Sequence, residues 1–157
     1  MAWHAELSIR YFRDNERTVA LDRHEGPLRV LQRLYPEGPR VCHHVLVHPP
    51  GGVAGGDELH LSLQLEPGSH ALLTTPGATR FYRSLGETAL QRVQATLQGD
   101  ARLEWMPLEA IAHDACRAEN RQRFELRDAA QMIGWDLIAL GLPAANDPWR
   151  RGSFLQH

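Results

Sequence analysis

Polar and apolar residues alternate along Leu59, Leu61, Leu63 and Leu65, the period-two pattern of a strand with one buried face. Each of those leucines, once covered, contributes about 1.5–3 kcal/mol. Pro67-Gly68 follows, a pair suited to the centre of a type II turn, so residues 70–74 are expected to return as the hairpin partner of 59–65. Val93, Ala95 and Leu97 alternate with Gln94 and Thr96, and Leu103 and Trp105 repeat the pattern after Gly99-Asp100. These predict two more strands. Turn signals recur at Glu25-Gly26-Pro27, Pro36-Glu37-Gly38-Pro39, Glu66-Pro67-Gly68-Ser69, Thr75-Pro76-Gly77, Gly86 and Gly99-Asp100. Short apolar runs between closely spaced turns argue an all-β architecture with at most minor helix. Only 128–141 is ambiguous: Ala129, Met132, Ile133, Leu137 and Leu140 fit a helix capped by Asp128 and ended by Gly141, or a buried strand over 132–140. The strand is preferred, because the neighbourhood is β and Gly134 weakens a helix. No repeat, low-complexity segment or linker is visible, so 1–157 reads as one β domain.

The densest punctuation is His48-Pro49-Pro50-Gly51-Gly52-Val53-Ala54-Gly55-Gly56-Asp57. Two prolines stiffen its start and exclude helix or central strand. Gly51, Gly52, Gly55 and Gly56 then belong where φ is positive or where other atoms approach closely. A phosphate-binding loop is excluded, since Asp57-Glu58 stand where Lys and Ser or Thr are needed. A dinucleotide fingerprint is excluded too, because the paired glycines lead into a strand rather than a helix.

Length and composition narrow the class. A chain of 157 residues with 43% hydrophobic and 23% charged residues can bury a core without disulfides. Two cysteines, Cys42 and Cys116, form no disulfide framework, and no secretory signal is visible. A cytoplasmic protein is expected. Net charge is −2 with both signs scattered, and no apolar run is long enough to span a bilayer, so neither nucleic acid nor membrane is a favoured partner. All 17 basic residues are arginine; a coding bias explains this most simply, although arginine forks also suit carboxylate-rich protein interfaces.

Nine histidines bring metal forward. His43, His44 and His48 precede the glycine loop and Asp57 closes it, and imidazole with carboxylate suits borderline ions such as nickel or zinc. On a strand His43 and His44 face opposite ways, so at most one joins His48. Cys42, flanked by apolar residues, reads as an inert core thiol. Arg80, Phe81, Tyr82 and Arg83 form a candidate partner-binding anchor, or else a strand packing alternate residues. Glu104 and Glu109 are separated by Pro107 and read as solvated carboxylates. There is no nucleophile elbow and no H-E-x-x-H helix, so an enzyme is not indicated.

Taken in order, these stretches resemble the urease accessory protein UreD family, also called UreH. The similarity runs from Trp3-His4-Ala5-Glu6-Leu7 through Gly26-Pro27-Leu28, Leu34-Tyr35-Pro36-Glu37-Gly38 and the 48–57 loop. It continues through Thr74-Thr75-Pro76-Gly77-Ala78-Thr79, Phe81-Tyr82-Arg83-Ser84 and Leu103-Glu104-Trp105 to Gly134-Trp135-Asp136. The resemblance implies a β-helix-like fold of two-layered strands and a non-catalytic scaffold that helps deliver nickel to apo-urease. It implies contacts with the urease apoprotein and UreF, with UreG supplying GTP hydrolysis and carrying the metal; no tightly bound cofactor is expected, and nickel passes in transit. The chain departs from the family pattern at Leu108, where a glutamine is usual, at Leu142, where an arginine is usual, and at Asn146-Asp147, where Gly-Glu is usual. Each departure is expected to remove a polar handle. Family chains also run longer, so 1–157 is expected to be the N-terminal part of a larger fold, with an open sheet edge at its end. Two rival readings are a metal-dependent hydrolase using His43, His44, His48 and Asp57, and a truncated, nonfunctional β-domain that self-associates.

Overall fold

Leu61 stacks between Leu7 and Val93, Leu63 between Ile9 and Ala95, and Leu65 between Tyr11 and Leu97, each pair in parallel register. These stacks are the inner wall of a β-solenoid. The computed structural model describes residues 2–157. The first coil holds β1 (His4–Asp14), its antiparallel partner β2 (Arg17–Glu25), β3 (Arg29–Val30) and β4 (Val41–Val47). The second is β5 (Glu58–Leu65), β6 (His70–Thr74) and β7 (Thr79–Phe81), and the third is β8 (Ala89–Leu97), β9 (Arg102–Met106) and β10 (Ala110–Ala112). The fourth is β11 (Arg117–Leu126), β12 (Gln131–Gly134) and β13 (Ile138–Leu142); a 3-10 turn at Pro143–Ala145, β14 (Asp147–Pro148) and β15 (Ser153–Gln156) follow.

Three sheets result, in the orders β15-β11-β8-β5-β1-β2, β12-β9-β6-β4-β3 and β14-β13-β10-β7. All three contribute to one core. Tyr11 reaches His44 across the two larger sheets, as Trp105 does Phe124. Phe81 of the smallest sheet meets Phe154 of the largest edge to face, with centroids 5.2 Å apart. The all-β expectation is met, with a third sheet added to the two layers that the resemblance implies.

Two expectations about local connection are corrected. Pro67-Gly68 does not close a hairpin: β5 pairs in parallel with β1 and β8, while β6 pairs in parallel with β4 and β9. Parallel neighbours need a long crossover, and here the other two sheets supply it; each Pro-Gly turn is a corner between sheets. Residues 128–141 are neither a helix nor one buried strand. Gln131–Gly134 and Ile138–Leu142 are separate strands in different sheets, and Ile133, Leu137 and Leu140 are exposed. The coils also repeat the same three-sided path, a repeat invisible in the sequence because only strand positions recur, not residue types.

Candidate functional site

The glycine loop divides its work between its residues as its composition predicts. Gly51 and Gly56 take positive φ, +81° and +89°. Gly52 and Gly55 instead admit close neighbours: a Cβ at Gly52 would lie 2.2 Å from Cε2 of Tyr82, and one at Gly55 2.5 Å from Oγ of Ser84. Asp57 closes the loop from inside. Its carboxylate, almost fully buried, accepts hydrogen bonds from the Ala54 and Trp3 amides, both at 2.8 Å.

The four residues singled out as metal ligands are not brought to one point. His43 faces outward on β4 and meets Glu37 at 2.7 Å. His44 faces inward, as strand alternation requires, and its Nδ1 shares a 2.7 Å hydrogen bond with the Tyr11 hydroxyl. Burial lowers its pKa to about 4, helped by the positive charge of Arg33 and opposed by Asp22. Asp57 is committed to backbone amides. Among the described residues no three His, Cys, Asp or Glu side chains are gathered into a metal centre.

His48 alone of the four opens onto empty space. It lines a cavity of about 210 Å³ along the solenoid interior, with Leu59, Leu61, Val93, Trp105 and Ala110 on its walls. Both His48 ring nitrogens are buried without a hydrogen-bond partner, as is the Trp105 indole nitrogen. Burial lowers the His48 pKa against the opposing pull of Asp57, which keeps a ring lone pair free. Polar side chains of the later coils also line the cavity. The inward rows that carry Leu59 and Leu61 on β5 carry Gln91 on β8, then Asn120 and Gln122 on β11. Asn120 Nδ2 and Gln122 Nε2 donate to Oδ2 of Asp136 at 2.7 and 2.8 Å. Burial pushes the Asp136 carboxyl up, against a hydrogen bond from Gln156. Sequence reasoning missed this cluster, because Gln91, Asn120 and Asp136 meet only through the coil register. Imidazole, amide and carboxylate groups therefore line one cavity, donor types that suit a divalent cation.

The sequence model of the UreD urease accessory protein family matches residues 4–157. The chain belongs to the UreD family. It is 66% identical to the urease accessory protein UreD of Leptothrix cholodnii over 99% of this chain, and 59% identical to that of Variovorax paradoxus over 100%. The UreD of Paracidovorax citrulli is 58% identical over 100% of this chain. The chain spans 57% of the length of each of these UreD relatives.

The segment offered as a UreD partner anchor is split by the fold. Phe81 is buried in the core against Phe154 and presents nothing to a partner. Tyr82 is 40% exposed and stacks on His113, with centroids 5.5 Å apart. Arg80 and Arg83 are exposed, and Arg80 also reaches the cavity rim. The departures from the UreD pattern are also resolved. Leu108 lies on the cavity wall and is 45% exposed, its amide donating to Thr75 Oγ1 at 3.0 Å. Leu142 precedes the 3-10 turn without a side-chain cap. Asn146 takes a left-handed φ of 60°, a conformation asparagine tolerates. Asp147 holds Nδ1 of His113 at 2.7 Å, so a charged handle is kept there rather than lost.

Proposed function

We propose that this chain acts as part of a non-catalytic urease accessory scaffold that assists nickel insertion into apo-urease in the cytoplasm. Membership of the UreD family supports the urease assignment. The interior cavity is the observation that carries the mechanism: it is lined by His48 and Trp105, whose ring nitrogens are unpartnered, and by Asp136. Nickel is cargo in this reading. Weak, exchangeable ligands suit transit better than a closed site, which would retain the ion. The scaffold docks on the urease apoprotein and UreF, with UreG delivering the metal, and exposed Arg80, Tyr82 and Arg83 are the residues offered to those partners. No step of bond making or breaking falls to the chain. Of the residues a hydrolase would have used, Asp57 and His44 are tied up in structural hydrogen bonds.

Affinity capture tests the docking. The tagged chain, co-expressed with UreF and the urease apoprotein, is expected to retain at least one of them through gel filtration. Folded, monodisperse chain that retains neither would refute the scaffold.

A further inference from the structure

At the corner between β7 and β8, Leu85 is 99% exposed, more than any other large apolar side chain among the described residues. A lone exposed leucine on a loose loop needs no explanation, but this one stands on a clamped tip. The Gly86 amide donates to Ser84 Oγ at 3.0 Å, and the Ser84 hydroxyl donates to the Glu87 carbonyl. Arg117 Nη1 donates to the Gly86 carbonyl at 2.9 Å, and the Ser84 amide to the Ala115 carbonyl at 3.1 Å. The backbone on both sides of Leu85 is thereby fixed, which lowers the ordering cost of burying it against a partner.

The corner segments of the later coils stack beside this tip and bring arginines to it. Arg83 forms a β-bridge with Cys116, next to Arg117. The Ala115 amide donates to the Arg151 carbonyl at 2.8 Å, and Asp114 Oδ1 accepts the amides of Arg150 and Arg151 at 2.8 and 3.0 Å. Arg83, Arg117, Arg150 and Arg151 are all exposed. Among the described residues none of these four pairs with a carboxylate, whereas Arg10, Arg33, Arg40 and Arg121 do. The acids beside them are Glu87 and Asp114, so the patch is positive on a chain whose net charge is −2. Tyr82 completes the ridge, lying on Gly52 and stacked on His113, which Asp147 holds at 2.7 Å.

We propose that this ridge docks on an acidic face of the urease apoprotein, with Leu85 entering an apolar pocket and Arg83, Arg150 and Arg151 meeting carboxylates around it. An apolar centre within a polar rim is the anatomy of a protein interface, and arginine forks match carboxylates in two-point hydrogen bonds. Nucleic acid and anionic lipid fit less well, since the positive charge is local and one leucine offers little apolar surface to a bilayer. The inference rests on the scaffold reading and adds to it the surface and the chemistry of its partner. Gly52 and Arg80 line the cavity and adjoin Tyr82, so urease docked on the ridge stands beside the cavity wall.

Surface plasmon resonance of the chain on immobilised urease apoprotein, at low and high salt, tests it, with immobilised UreF and phosphatidylserine vesicles as parallel arms. Wild type is expected to bind urease and to weaken as salt rises. Leu85→Ala is expected to weaken that binding about tenfold or more. Arg83→Glu combined with Arg151→Glu is expected to weaken it as far, through a slower association, and to flatten the salt dependence. Leu21→Ala, an exposed leucine on β2, is expected to bind as wild type does. Circular dichroism confirms that these surface variants stay folded. Urease binding that is unaltered in folded Leu85→Ala and in the arginine variant would overturn the ridge and leave the scaffold standing. Wild type that leaves urease unbound would overturn the ridge, and the scaffold with it if UreF is unbound too. A Leu85-dependent attachment to UreF or to the vesicles, with urease binding indifferent to Leu85, would assign the ridge elsewhere and overturn the proposal as well.

Discussion

Burial keeps the His44 imidazole neutral. In the unfolded chain it takes up a proton near pH 6.5, whereas in the fold it does so only near pH 4. The unfolded state therefore binds more protons between those values, and stability falls as pH drops through the window. The contribution is complete above about pH 6.5 and amounts to about 3 kcal/mol at most by linkage. Lowered His48 acts in the same direction. Urea midpoints at pH 7.5 and 4.5 are expected to show a large loss for wild type and a smaller one for His44→Asn, which keeps a partner for Tyr11 but cannot titrate. At this scale the sequence was partly legible. The opposite facing of His43 and His44 follows from strand alternation, and the glycine roles follow from composition. The commitment of Asp57 to the Trp3 amide was not legible, because the two residues precede strands that only the parallel register brings together.

Alternating leucines identified β5 correctly, yet not its partners. A strand shows which residues face the core but not which strand lies beside it, and a Pro-Gly turn serves a hairpin and a solenoid corner equally well. The two short strands at 131–142 were obscured for a related reason: each is only a few residues long, and several apolar side chains there face outward. Burial now separates positions that look alike in sequence. Leu63, stacked between Ile9 and Ala95, is 2% exposed, whereas Leu140 is 53% exposed. Leu63→Ala is expected to cost about 2–5 kcal/mol in chemical denaturation. Leu140→Ala is expected to stay within about 0.5 kcal/mol of wild type. Equal losses at the two positions would mean that the coil register is wrong.

At the level of the molecule, stacking coils against one another buries an apolar interior in the early coils and leaves amides and a carboxylate inside the fourth. Family membership was legible from the collinear order of weak motifs, because turns and corners constrain glycine and proline more tightly than strands constrain their apolar residues. The cavity was not legible: its walls come from residues far apart in sequence. In the proposed function, nickel reaches urease by way of this interior. The decisive measurement is the nickel content of urease matured with UreF and UreG in the presence of the wild-type chain, of the chain carrying Ala110→Phe, or of neither. A phenylalanine at Ala110 fills the cavity from its wall, at about 1–3 kcal/mol in stability. The account predicts that wild type raises nickel per urease, and that the folded variant still associates but delivers no more than the control without chain. Equal nickel content with the open and the filled cavity would contradict it.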